Sequence, residues 1–110
     1  MANISWNDFK KVELRAGTIT KAEFFEEAKI PAFKLWIDFG PELGEKKSSA
    51  QITNYTLENL VGKQVIAVTN FEPKQVANFM SEVLVTGFVL ADKTILGVSD
   101  EGVPNGSRLL

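Results

Sequence analysis

Lys34, Trp36, Lys46 and Lys47, with Arg15 earlier in the chain, are the residues of this 110-residue sequence best suited to chemistry, and that chemistry is binding. In Phe33-Lys34-Leu35-Trp36-Ile37-Asp38-Phe39, alternation puts Phe33, Leu35, Ile37 and Phe39 on one face and Lys34, Trp36 and Asp38 on the other. Basic residues interleaved with an aromatic suit phosphate contacts plus base stacking, and such a pair can also hold a peptide side chain. The competing description is a set of solvated lysines balanced by Glu42 and Glu45, with Trp36 packed under a loop or a neighbouring subunit. Lys74 and Ser81 belong to a polar loop that Pro73 initiates and Asn78 punctuates, where left-handed backbone is tolerated. Loops clamped between rigid strands are where binding groups collect. With Trp36, Phe79 and Met80 supply adaptable apolar contacts for a peptide.

Catalysis is poorly supported. The chain has no histidine and no cysteine, which removes the commonest general base, thiolate metal sites and disulfides. Ser48, Ser49 and Ser81 therefore lack a histidine to activate them. The carboxylates are scattered; Glu26 and Glu27 are adjacent, so their side chains diverge. There is no glycine-rich phosphate loop and no Asp-rich loop for an all-oxygen metal site. The expectation is a protein that is no enzyme and uses no cofactor and no metal.

The net charge of −2 argues against a uniformly basic nucleic-acid binder. Residues 1–55 nevertheless hold eight of the twelve basic groups, so any anion-binding surface is local and draws mainly on the first half. The start, Met1-Ala2-Asn3-Ile4-Ser5-Trp6, lacks the basic and apolar regions of a signal peptide. Apolar runs such as Val65–Val68 are too short to span a bilayer, so no membrane insertion and a cytoplasmic location are expected.

The elements that position these residues read as mainly β, in a single domain over residues 1–110. Ser5 and Asp8 make a capping box for a short helix over residues 5–10, with Trp6 and Phe9 on one face, plugging a barrel end or reaching a partner subunit. Lys11 to Phe25 reads as a long strand bent at Gly17. Strands follow at 33–39 and 46–53, separated by a Gly40–Gly44 turn. Thr56 caps a short helix that Gly62 stops. Strands at 63–71 and 83–91 are apolar on both faces, which a half-wet sheet does not require, and a homodimer contact through Ile66, Val68, Leu84 and Phe88, with Trp6 and Phe9, accounts for it. Five main strands with a helix after the third is the order of an OB-fold five-stranded barrel with short helices.

The whole chain resembles the tRNA-binding-domain family of OB-fold modules. The matching segments are Asp8 through Ile19, Leu60-Val61-Gly62-Lys63, Asn70-Phe71-Glu72-Pro73 and the serine at Ser81. Lys34 through Gly40, Ser48 through Thr53 and Ser81 through Val85 are similar to the branch of secretion chaperones of the CsaA type. The resemblance implies a non-catalytic homodimer that binds tRNA-like RNA and, in that branch, unfolded precursor proteins and the export ATPase. A tRNA-binding accessory acting in trans for an aminoacyl-tRNA synthetase is the alternative. Asn70 and Ser81 join Arg15, Lys34, Lys46, Lys47 and Lys74 as implied nucleic-acid contacts. Gln75 stands where tRNA binders usually carry a basic residue, Asn78 replaces a glycine, Leu84 replaces a methionine, and Glu82 adds a negative charge. Weaker tRNA binding on an undisturbed fold is the implied consequence.

Overall fold

The computed structural model describes residues 1–110. At its start Ser5 Oγ accepts from the Asp8 N–H (3.0 Å) and Asp8 Oδ2 accepts from the Ser5 N–H (3.2 Å), closing the capping box of α1 (Trp6–Lys10). The chain continues through β1 (Leu14–Phe24), β2 (Phe33–Asp38), the one-turn helix α2 (Gly40–Leu43), β3 (Glu45–Ala50) and α3 (Leu57–Leu60). Then come β4 (Gln64–Val68), β5 (Lys74–Val76), β6 (Phe79–Ser81), β7 (Leu84–Val85), β8 (Gly87–Val89), β9 (Thr94–Leu96) and β10 (Arg108–Leu109). Antiparallel strands in the order β3-β2-β1-β4-β7 form a nearly closed five-stranded barrel, with β10 added to the start of β1. The expected OB-type barrel with short helices is the observed one.

The long β1 works because it serves two neighbours: Leu14–Thr18 pair with β4 and Thr18–Phe24 with β2. The register shift that lets it turn falls between Ile19 and Lys21, not at Gly17 as the sequence suggested. Gly17 has a different reason to be glycine. A Cβ there would stand 2.6 Å from Phe39 Cδ1 and 2.7 Å from Ile37 Cγ2. Gly17→Ala is therefore expected to destabilise the fold by about 1–3 kcal/mol through overpacking. Urea unfolding checks it: a lower midpoint at unchanged slope is the expected result, an unchanged midpoint the contrary one.

The alternation on β2 holds as read: Leu35, Ile37 and Phe39 are fully buried and join Ile19, Leu60 and Val65 in one core. Burying each large side chain stabilises the barrel by about 1.5–3 kcal/mol. Leu60 is brought there by α3, which Thr56 caps (its Oγ1 accepts from the Asn59 N–H, 3.2 Å) and which ends at Gly62 with φ +91°.

Four local readings change. The 63–71 strand stops at Val68, because the Thr69 N–H and Oγ1 both turn to the Glu13 C=O (2.8 and 3.1 Å). The loop after Pro73 is the β5–β6 hairpin, and its left-handed residue is Ala77 (φ 50°), not Asn78; Gln75 Nε2 donates to the Ala77 C=O (2.8 Å). The 83–91 strand splits into β7 and β8 at Thr86, whose N–H and Oγ1 both donate to the Ile66 C=O (2.9 and 2.8 Å). Trp6 is 60% exposed, so it does not plug the barrel end. No helix is long and apolar enough to cross a membrane.

Candidate nucleic-acid interface

Strand register builds the candidate site on the outer face of β1, β2 and β3. Lys21 lies beside Trp36, which lies beside Lys47; in the next row Glu23, Lys34 and Ser49 are neighbours. The side chains of both rows stand away from the core because strand residues alternate. The β5–β6 hairpin folds onto this face and drives Phe79 into a small cluster with Phe25 and Ala32. Phe79 packs edge-on against Phe25 (centroids 5.5 Å apart, 66°) and against Trp36 (5.7 Å, 76°).

Three ammonium groups sit over this aromatic floor. Lys21 Nζ is 4.5 Å from the Trp36 centroid, Lys34 Nζ 5.2 Å from Phe25 and 5.7 Å from Phe79, and Lys47 Nζ 5.2 Å from Phe79. Each contact is worth about 0.5–1 kcal/mol at an exposed site, enough to bias a flexible lysine toward one position. Lys21 also meets Glu23 (3.2 Å), whereas Lys34 and Lys47 have no carboxylate partner. The result is a pre-positioned cluster of positive charge that a polyanion can enter without first breaking strong ion pairs. Trp36 and Phe79 act here as the floor beneath the lysines. Phe79, at 7% exposure, is not an open peptide contact, because the hairpin buries it; Met80 is exposed. Sequence reasoning missed Lys21 and Phe25, which only the β1–β2 register and the hairpin bring to the site.

Several expected contacts lie elsewhere. Lys46 neighbours Ile37 and so stands on the opposite face of β3 from Lys47. Arg15 is six residues before Lys21 on β1, about 20 Å along the strand. Its Nε and Nη2 donate to Glu13 Oε1 (3.1 and 2.7 Å) and its Nη1 to the Gly106 C=O (2.9 Å). Asn70 is occupied too: Oδ1 accepts from the Glu13 N–H (3.0 Å) and Nδ2 donates to the Lys11 C=O (2.6 Å). Arg15 and Asn70 thus stitch the start of the barrel, because backbone groups there have no other partner of their own. Asn70→Ala is expected to cost about 0.5–1.5 kcal/mol, the net worth of a hydrogen bond whose groups water can take over, since both bonds are exposed; thermal unfolding reads it, and an unshifted midpoint would contradict it.

The Arg15 hydrogen bond, opposed by desolvation and aided by the charges of Arg15 and Arg108, holds the Glu13 carboxyl below the usual glutamate range. Its stabilisation is present above the ordinary glutamate pKa and fades as pH falls through the depressed one.

Ser81 and Glu82 close the barrel with side chains. The Ser49 N–H donates to Ser81 Oγ (3.0 Å), the Lys47 N–H donates to Glu82 Oε1 (2.9 Å), and the Lys47 C=O accepts from the Glu82 N–H (2.8 Å). The negative charge of Glu82 is therefore engaged in the seam. Beside this seam lies a cavity of about 560 Å³ lined by Phe71, Lys74, Val83 and Leu84 among others. A second cavity, of about 280 Å³, lies toward Lys29, Ile30 and Ala77, and both share Ser49, Gln51 and Val76. Together they form a trough along the outer edge of β3. Lys74 borders this trough and not the lysine cluster.

A separate apolar surface is carried by the last strands. Phe88 is 68% exposed, and Leu84, Val89, Leu90 and Ile95 are also exposed. Val68, at 7%, is covered within the chain itself and does not offer the free face expected of it, while Ile66 is half-buried. Phe9 is half-buried beside Trp6 (centroids 5.9 Å apart).

Residues 14–108 match the family described as putative tRNA binding domain. The crystal structure of chaperone CsaA from Bacillus anthracis str. Ames is 50% identical, with TM-score 0.93, covering 99% of this chain and all of that one. That of the CsaA chaperone protein from Picrophilus torridus is 49% identical, with TM-score 0.94 and coverages of 98% and 100%. The methionine–tRNA ligase of Methanococcoides burtonii is 34% identical over 94 residues, which are 84% of this chain and 14% of the ligase. The chain thus spans about one seventh of the length of such ligases.

Proposed function

The chain belongs to the putative tRNA binding domain family, and from that premise we propose a non-catalytic, single-domain homodimer of the CsaA type that acts in the cytoplasm. It binds tRNA-like RNA through the Lys21, Lys34 and Lys47 cluster and extended segments of unfolded or precursor polypeptide in the trough beside β3. Delivery of those precursors to the export ATPase belongs to the same reading. The observation that carries it is the trio of ammonium groups over Trp36, Phe25 and Phe79, two of them without a carboxylate partner. The similarity to methionine–tRNA ligases favours a second reading, a tRNA-binding accessory acting in trans for such a synthetase.

Titration of bulk tRNA and of an unfolded polypeptide against one preparation tests the proposal. Three phosphates engaged by three lysines predict a log–log salt slope of about −2 to −3 for tRNA. Polypeptide held by apolar and backbone contacts should respond weakly to salt. A flat salt response for tRNA, or no tRNA binding at low salt, would overturn the nucleic-acid half; no polypeptide binding would overturn the chaperone half.

A further inference from the structure

We infer that tRNA and an extended polypeptide occupy this protein at the same time, separated by the β5–β6 hairpin; the inference rests on the function proposed above. None of Lys21, Lys34, Lys47, Trp36, Phe25 and Phe79 lines the trough; the two surfaces meet only at Ser49, beside Lys34, and at Ala32, beside Phe79 and Phe25. The hairpin stands between them. Phe79 seats it against Phe25 and Trp36 on the lysine side, while Val76 borders both cavities on the other.

The two surfaces also differ in what they attract. The trough carries Glu27, Glu72 and Glu82 against Lys29 and Lys74, a balance suited to a mixed polypeptide and unsuited to a polyanion. Its floor is a sheet edge. The alternation that turns the Lys47 and Ser49 N–H groups away from β2 continues to Gln51, whose N–H finds no partner within the chain. An extended segment satisfies that donor with a backbone carbonyl just past the end of β3, while the side chains it turns inward fill the cavities.

β3 is held on one edge by its ladder with β2 and on the other by Ser81 and Glu82. Filling the trough therefore gives the lysine cluster no second arrangement to shift to, and a coupling factor near one follows.

The test measures the anisotropy of labelled bulk tRNA with and without saturating reduced, carboxamidomethylated α-lactalbumin. That probe is permanently unfolded and acidic, so it has no affinity of its own for RNA. The expected result is a tRNA Kd changed by less than about twofold, with all three components in one peak on sizing with light scattering. A tRNA Kd that rises in proportion to added polypeptide, with both binary complexes intact, overturns the inference alone. Absence of either binary complex overturns it together with the function on which it rests.

Discussion

Replacing Lys21, Lys34 and Lys47 together by Ala is expected to lower tRNA affinity by about a hundred- to a thousand-fold near 0.1 M salt and to flatten the log–log salt slope by about two to three units. Each lysine that neutralises a phosphate releases close to one counterion, so the losses follow the count of contacts. Near 0.1 M salt one such contact is worth up to about a decade in affinity. The barrel should survive, because these ammonium groups lie on its outer face and contribute only weak cation–π contacts, about 0.5–1 kcal/mol each, to the fold. Lys46→Ala is the matched control. It removes the same charge from the opposite face of β3 and should leave the slope unchanged. Fluorescence anisotropy across a salt series reads both, and equal effects of Lys46→Ala and Lys47→Ala would contradict the assignment of faces.

Phe88→Glu is expected to convert the proposed dimer to monomer. Light scattering at micromolar protein should then read 12.2 kDa in place of about 24 kDa, twice the chain mass. Phe88 and Ile95 are paired and exposed on one face of the β8–β9 ribbon, with Leu90 exposed just beyond it, and an exposed apolar patch of this kind gains from a covering partner. In a two-fold contact the same patch meets itself, so one substitution sets two carboxylates in the same apolar interface. A monomer mass for the unmodified protein would remove the dimer altogether.

The parts of the fold legible in the sequence were those with a local cause. Phe33 to Phe39 alternates cleanly because β2 has one core face, and Ser5–Asp8 and Thr56–Gly62 carry their own caps and stops. The β5–β6 hairpin was not legible, since its strands are three residues long and its left-handed position falls on Ala77, a residue type that gives no turn signal. The site was half legible for the same reason. Lys34, Trp36 and Lys47 share a face by strand alternation alone, but Lys21 arrives there through a register shift near Thr20, and Phe79 through the hairpin. Arg15 and Asn70 looked like free contacts because their partners are remote in sequence: Gly106 for Arg15, and Glu13 and Lys11 for Asn70. No local pattern shows a side chain already committed to distant backbone.

The amide and indole NMR spectrum of the protein titrated with bulk tRNA at low salt tests most directly whether RNA binds at the lysine cluster. The Trp36 indole N–H and the amides around Lys21, Lys34 and Lys47 are expected to shift or broaden first, while those of Phe88–Leu90 and of the Arg15–Gly106 seam stay in place. Perturbation centred on Arg15 and Asn70, with the Trp36 signal unmoved, would contradict binding at the cluster.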